Sequence, residues 1–207
     1  MQQMYKVFFK DRIVFFSNDF PDSLKGTEGL YYKYDTRKAL KKVIKAYFDL
    51  DSVKELHLIH DDLEELWKAF KSVFKIIKAG GGLVRNEKGE VLFIKRNGLW
   101  DLPKGKAEKD ETIKNTALRE VKEECGMNKI KLKSHITSSY HSYILNKKRI
   151  LKKTEWYEMY SSSKENLCPQ SSENITDVIW IKPDEISYIT GNTYSSITEV
   201  LKKAELI

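Results

Sequence analysis

The chain has 207 residues, 41% hydrophobic and 32% charged, enough to bury one large or two small cores and too apolar for a wholly disordered polymer. No run reaches the ~18 to 20 apolar residues of a membrane span, and the start, MQQMYKVFFKDR, carries charge where a signal peptide needs its apolar core; a cytoplasmic protein with no membrane partner is expected. The net charge of +7 favours an anionic partner, a phosphorylated small molecule before a nucleic acid, yet residues 1–78 hold 15 basic and 12 acidic side chains and the remainder 22 and 18, so no basic arm stands out.

Residues 1–76 read as a small α/β domain. Tyr5 to Phe9 and Ile13 to Phe16 are β-branched and aromatic runs around Lys10-Asp11-Arg12, a hairpin pattern. Asp35 or Thr36 can cap a helix with Leu40, Val43, Ile44, Tyr47 and Phe48 at helical spacing. A strand over Glu55 to His60 follows, then a helix capped by Asp61 or Asp62 with Leu63, Leu66, Trp67, Phe70, Val73 and Phe74 on one face. His57 and His60 find no third ligand and read as ordinary core or surface histidines. This half carries no catalytic constellation.

A second domain is expected over 77–207. Ala79 to Val84 and Val91 to Ile94 form two strands joined by a glycine-containing turn, and Gly80 to Gly82 suggest close backbone approach to another element. Residues 112–125, with Asp110 as a cap and Gly126 as a stop, form a helix. At 100° per residue, Glu120, Glu123 and Glu124 share one arc of it, beside the apolar stripe of Ala117, Leu118, Val121 and Cys125. Three convergent carboxylates repel one another unless a divalent cation is held between them, and hard oxygen donors select Mg²⁺ or Mn²⁺. Cys125 and Cys168 supply neither a disulfide framework nor a zinc site. Residues 161–174 form a polar loop between strands at Thr154 to Tyr160 and Ile175 to Ile181, placed as a substrate-side loop, and Tyr194 to Leu206 form an amphipathic helix.

From Gly105 to Met127 the sequence resembles the Nudix hydrolase signature, G-x5-E-x7-R-E-U-x-E-E-x-G-U with U aliphatic, at all nine specified positions: Gly105, Glu111, Arg119, Glu120, Val121, Glu123, Glu124, Gly126 and Met127. The resemblance implies an α/β/α sandwich on a mixed sheet over residues 77–207. It implies hydrolysis of the pyrophosphate bond in nucleoside diphosphate-linked compounds with Mg²⁺ or Mn²⁺. Glu120, Glu123 and Glu124, with the Gly105 carbonyl, resemble the metal ligands, and Arg119 with Glu111 the supporting pair, a guanidinium fork that fixes a carboxylate before the metal arrives. The family's general base varies in position, which makes Glu120 one candidate and the loop residues Glu165 and Glu173 others.

Substrate choice is read from three further residues. Lys104, in Pro103-Lys104-Gly105, is similar to the Pro-Lys-Gly of dinucleoside-polyphosphate and diphosphoinositol-polyphosphate hydrolases; Tyr143 stands where such enzymes tend to carry a base-stacking tyrosine; and Lys153 opens a strand like the one lining their phosphate pocket. A dinucleoside polyphosphate or nucleoside triphosphate is the favoured substrate. ADP-ribose or another sugar nucleotide, an RNA 5′ end, and a non-catalytic nucleotide-sensing module are the alternatives, and a homodimer stays open.

Overall fold

A computed structural model describes residues 5–19 and 29–207. The chain divides into two compact units, residues 1–76 with 140–152, and residues 77–139 with 153–207. Among the described residues no helix is long and apolar enough to cross a membrane.

In the first unit, strands β1 (Lys6–Phe9) and β2 (Arg12–Ser17) form the expected hairpin, with Lys10 at φ 55° in the turn. A strand the sequence pattern did not reveal, β3 (Gly29–Lys33), leads through α1 (Arg37–Asp49) to β4 (Glu55–Ile59), which runs parallel to β2 and β3 and lies between them. Helix α2 (Leu63–Lys71) follows. Thr36 caps α1, its hydroxyl accepting from Ala39 N at 3.3 Å, and Asp62 caps α2, accepting from Glu64 N at 2.9 Å and Glu65 N at 3.0 Å. Leu40, Ile44 and Tyr47 of α1 and Leu66, Trp67 and Phe70 of α2 pack on Val7, Val14, Phe16, Leu56 and Leu58 of the sheet. Residues 140–152 join this unit because Val7 and Phe8 pair with Tyr140 and His141, and Leu151 enters the same core.

Two buried polar residues tie the layers of this unit together. Arg12, only 1% exposed, donates from Nη1 to the carbonyls of Tyr47 and Leu50, each at 2.7 Å, and so closes the carboxyl end of α1. His57 stacks between Phe15 and Tyr31, with centroids 4.9 and 4.8 Å away, and its Nε2 lies 2.9 Å from Glu55. It is a satisfied core histidine.

In the second unit the sheet runs in the order β11 (Ile175–Ile181), β6 (Val91–Arg96), β5 (Lys75–Arg85), β10 (Lys148–Tyr160), β9 (Lys131–Leu145), with the short strands β7 (Leu99–Asp101) on β6 and β8 (Lys104–Lys106) on β5. Successive side chains along a strand point to opposite faces, and both faces are covered. Val84, Leu92, Tyr157 and Met159 pack under α3 (Ile113–Cys125), while Leu83, Phe93 and Trp156 pack under α5 (Ser195–Lys203) and the short α4 (Ile186–Ile189). This is the α/β sandwich the sequence led us to expect. Two hairpin turns use positive φ, Asn97 and Gly98 at 52° and 81° between β6 and β7, and Asn146 and Lys147 at 49° and 62° between β9 and β10.

Candidate active site

Helix α3 sits on the sheet through glycines. A Cβ on Gly80 would stand 2.6 Å from the Ile113 carbonyl oxygen and 2.7 Å from Ala117 N, and one on Gly82 would stand 2.7 Å from Val121 Cγ2. The close approach expected of Gly80 to Gly82 is therefore, at Gly80 and Gly82, the seat of this helix, while Gly81 lies against Trp156 on the other face. Its start differs from expectation: Thr112 is the cap, accepting from Asn115 N at 3.3 Å, while Asp110 lies outside at φ 64°. Gly126, at φ 70°, ends it in the left-handed conformation that glycine adopts without Cβ strain.

Arg119 organises the exposed side of α3. Its Nε and Nη2 reach the two oxygens of Glu111 at 2.9 and 3.0 Å, a two-pronged contact, and its Nη1 donates to Glu120 and Glu123, both at 2.8 Å. Nη2 also donates to the Lys106 carbonyl at 3.1 Å, which ties the helix to β8. Glu111 accepts further from Thr116 Oγ1 at 2.8 Å and Glu108 N at 3.1 Å, and the Arg119 bonds above all hold its carboxyl down at about 2. Arg119 is in turn held above its ordinary range, chiefly by Glu111. An open depression of about 510 Å³ runs along this face, lined by Glu111, Asn115, Leu118, Arg119, Lys122 and Glu123.

The third signature glutamate lies apart from this group. Glu124 is 1% exposed; its two oxygens accept from Arg96 Nη1 and from Lys104 N, each at 2.9 Å. Burial outweighs these contacts and pushes its carboxyl up to about 7. Arg96 extends its other nitrogen to Glu173, so one guanidinium joins the buried helix glutamate to the candidate base on the loop. Glu165, the other loop candidate, instead accepts from Asn128 N at 2.9 Å and Lys129 N at 3.3 Å and anchors the chain just past α3. Residues 161–174 are fastened to the end of α3 as well, through Cys168 N to the Cys125 carbonyl and Gln170 N to the Glu124 carbonyl.

Gly105 pairs with Gly80 in the β5–β8 ladder and lies directly against the Glu120 carboxylate, where a side chain would collide with it. Lys104 turns its ammonium to the buried Asp101. Lys153 pairs with Glu155 at 2.6 Å, and Glu155 also accepts from Ser138 at 2.6 Å and meets His135 at 2.8 Å. Tyr143 belongs to the first unit, half-buried, with its ring 6.2 Å from His141 and its phenol pushed up by burial. The site residues thus gather in two groups within the second unit, Arg119 with Glu111, Glu120 and Glu123, and Arg96 with Glu124 and Glu173.

Arg96 was missed in the sequence. What brings it to the site is a register that no local pattern shows: the strand Ile175 to Ile181 pairs with β6, Ile175 opposite Arg96, which puts Glu173 beside the arginine.

Among the described residues no three acidic, histidine or cysteine side chains stand close enough to enclose a metal ion as placed. The donor chemistry nevertheless fits a hard divalent cation. Glu120 and Glu123 already converge on one cationic nitrogen, and Glu120 lies on the backbone of Gly105.

Comparison with known proteins accords with this geometry. The NUDIX domain family model matches residues 76–200, about three-fifths of the chain. Among solved structures, the MutT protein of Methanosarcina mazei Go1 is 23% identical, covering 63% of this chain and 93% of its own, with a TM-score of 0.49. The Ap4A hydrolase of C. elegans, in a binary complex, is 20% identical over 62% of this chain and 95% of its own, at 0.47. A bifunctional NMN adenylyltransferase/ADP ribose pyrophosphatase from Francisella tularensis, complexed with AMP and a manganese ion, is 21% identical over 68% of this chain and 45% of its own, also at 0.47. The argument rests on the family match and the spacing of the signature: the chain belongs to the NUDIX domain family.

Proposed function

We propose that the protein is a divalent-metal-dependent hydrolase of the pyrophosphate bond in nucleoside diphosphate-linked compounds, with a dinucleoside polyphosphate or a nucleoside triphosphate as its preferred substrate. The observation that carries this reading is the complete signature with Arg119 gathering Glu111, Glu120 and Glu123 around one guanidinium. Glu120, Glu123 and Glu124, with the Gly105 carbonyl, would hold Mg²⁺ or Mn²⁺, which when bound neutralises phosphate oxygens and acidifies water.

The chain's own residues supply orientation and proton acceptance. Arg119 restrains the Glu120 and Glu123 carboxylates, so little reorganisation is needed when substrate arrives. Glu111, ionised far below neutrality, keeps Arg119 in that position. Arg96 compensates the charge of Glu124 in its buried place and holds Glu173 beside it. Glu120 and Glu173 are the candidate proton acceptors for the attacking water. A preference for long phosphate chains rests on Lys104 and Lys153, which would exchange Asp101 and Glu155 for phosphate oxygens.

The test is a panel of dinucleoside polyphosphates, nucleoside triphosphates and sugar nucleotides with Mg²⁺ in heavy-oxygen water, which reports both the substrate and the phosphorus attacked. Glu123→Gln and Glu124→Gln should each lower turnover by at least ~100-fold while the fold is kept. Unchanged turnover in both would exclude the metal assignment, and a sugar nucleotide as the most efficient substrate would exclude the chain-length preference.

A further inference from the structure

The division of the chain into units redistributes its charge. Because residues 140–152 bring four basic side chains and no acidic one into the first unit, that unit holds 18 basic and 12 acidic side chains, a net +6 of the total +7, against 19 and 18 in the second. A split at residue 78 conceals this.

Within the first unit the excess is concentrated on one helix. Arg37, Lys38, Lys41, Lys42 and Lys45 of α1 are all exposed. At 100° and 1.5 Å per residue they form one stripe about 12 Å long. The only carboxylate in α1 is Asp49, bonded to Lys45 at 2.7 Å. Asp61, Asp62, Glu64 and Glu65 stand at the start of α2, and Asp35 and Asp51 flank the two ends of α1 without entering the stripe.

An ordinary solvated helix face interleaves the two signs at i, i+4. This one sets like charges there three times, Arg37 with Lys41, Lys38 with Lys42 and Lys41 with Lys45. It also places Arg37 and Lys38 in the first turn, where the helix dipole disfavours cations, and has no acidic residue in that turn. Each arrangement destabilises the isolated helix, and local rules are broken in this way where a surface serves a partner. A second cationic element adjoins it: the turn between β9 and β10 exposes Lys147 and Lys148, and Arg149 lies 5.7 Å from the ring of Phe48 on α1.

We propose that this face of the first unit binds the phosphate backbone of single-stranded RNA. The stripe offers long flexible cations and no amide or hydroxyl that would read base edges, so it recognises charge and not sequence. A flexible strand can follow the helix and turn onto the hairpin, whereas duplex DNA, stiff over ~150 base pairs, resists such a path. RNA is the nucleic acid that ordinarily presents a single strand. The proposal concerns binding alone, so it stands or falls independently of the hydrolytic reading.

The test uses the full chain and a fluorescent single-stranded RNA of about 20 nucleotides, with affinity measured by anisotropy between roughly 50 and 200 mM KCl. If the five α1 cations each meet a phosphate, log affinity falls against log salt with a slope near −3.5, about 0.7 for each contact on a single strand. Lys38→Gln/Lys41→Gln/Lys42→Gln should weaken binding at least tenfold at the lowest salt and reduce the slope by about 2. Nucleotide hydrolysis should be unchanged. Glutamine is a comparable helix former, so the fold is retained, and Lys147→Gln/Lys148→Gln gives an independent measure from the hairpin. Absence of RNA binding by the wild-type chain at the lowest salt overturns the proposal. So does affinity within twofold of wild type in both variants, or tighter binding of duplex DNA or phosphatidylserine vesicles than of the RNA.

Discussion

Replacing Gly80 by alanine tests how α3 is mounted. The new methyl group would stand 2.6 Å from the Ile113 carbonyl oxygen, 2.7 Å from Ala117 N and 3.0 Å from Ala117 Cβ. Ordinary van der Waals separation begins near 3.4 Å, so the helix start must lift by roughly 0.8 Å. The two nearest obstacles are backbone atoms and the third is a Cβ, so no side chain can swing aside. Overpacking of this kind costs about 1 to 3 kcal/mol, and in a chain of this size each kcal/mol lowers the melting temperature by roughly 2 to 4 °C, which gives a fall of about 2 to 12 °C. The same lift moves Glu120 and Glu123 relative to Gly105, and a misplacement near 1 Å costs about 100-fold in rate. Calorimetry and Mg²⁺-dependent turnover of the best panel substrate read both effects. Gly191→Ala is the control, because a Cβ there meets nothing within 4 Å. If Gly80→Ala melts within 1 °C of wild type and turns over normally, the close mounting of α3 on β5 is wrong.

Gly105→Ala separates placement from stability: its methyl group collides with the end of one side chain, the Glu120 carboxylate, and not with backbone, so turnover should fall about 100-fold while the melting temperature stays close to wild type, as paired kinetics and calorimetry will show. Glu111, whose folded carboxyl is held at about 2 by Arg119, contributes stability that is complete above its ordinary range near 4.5 and is lost as pH falls toward 2. Denaturant titrations should therefore find the gap between wild type and Glu111→Gln closing across that window, and a gap independent of pH would refute the pairing. Arg12→Met removes the two bonds that close α1 and should cost about 1 to 3 kcal/mol, since the buried Tyr47 carbonyl loses its charged donor while a buried guanidinium with Nε unsatisfied is also removed. Equal denaturation midpoints would refute it.

Elements with strong local signals were legible in the sequence. The helix α2 and its Asp62 cap, the strand Ile175–Ile181 and the helix after Tyr194 follow from periodicity and capping chemistry that need no tertiary context. Strand β3 was not, because Gly29-Leu-Tyr-Tyr-Lys has no clean alternation and is held in place by pairing with β4. The cap of α3 was misplaced by two residues because an aspartate and a threonine compete for it locally, and the position of Asp110 at φ 64° is decided by the turn before the helix.

The signature glutamates show where spacing stops being informative. Helical geometry puts Glu120 and Glu124 one turn apart on one side of α3, and from the sequence they look equivalent. What distinguishes them is the surface each meets: Glu120, its side chain 13% exposed, lies between Arg119 and Gly105, while Glu124, fully buried, faces Arg96 on β6 and the Lys104 amide. Arg96 on β6 is 28 residues from Glu124, so no local rule could show that Glu124 is buried against an arginine. The consequence is chemical. A glutamate raised to about 7 by burial titrates near neutrality, while Glu111, held at about 2, stays ionised throughout. One helix with its preceding loop therefore carries a fixed negative charge, paired with Arg119, and a titratable one, paired with Arg96.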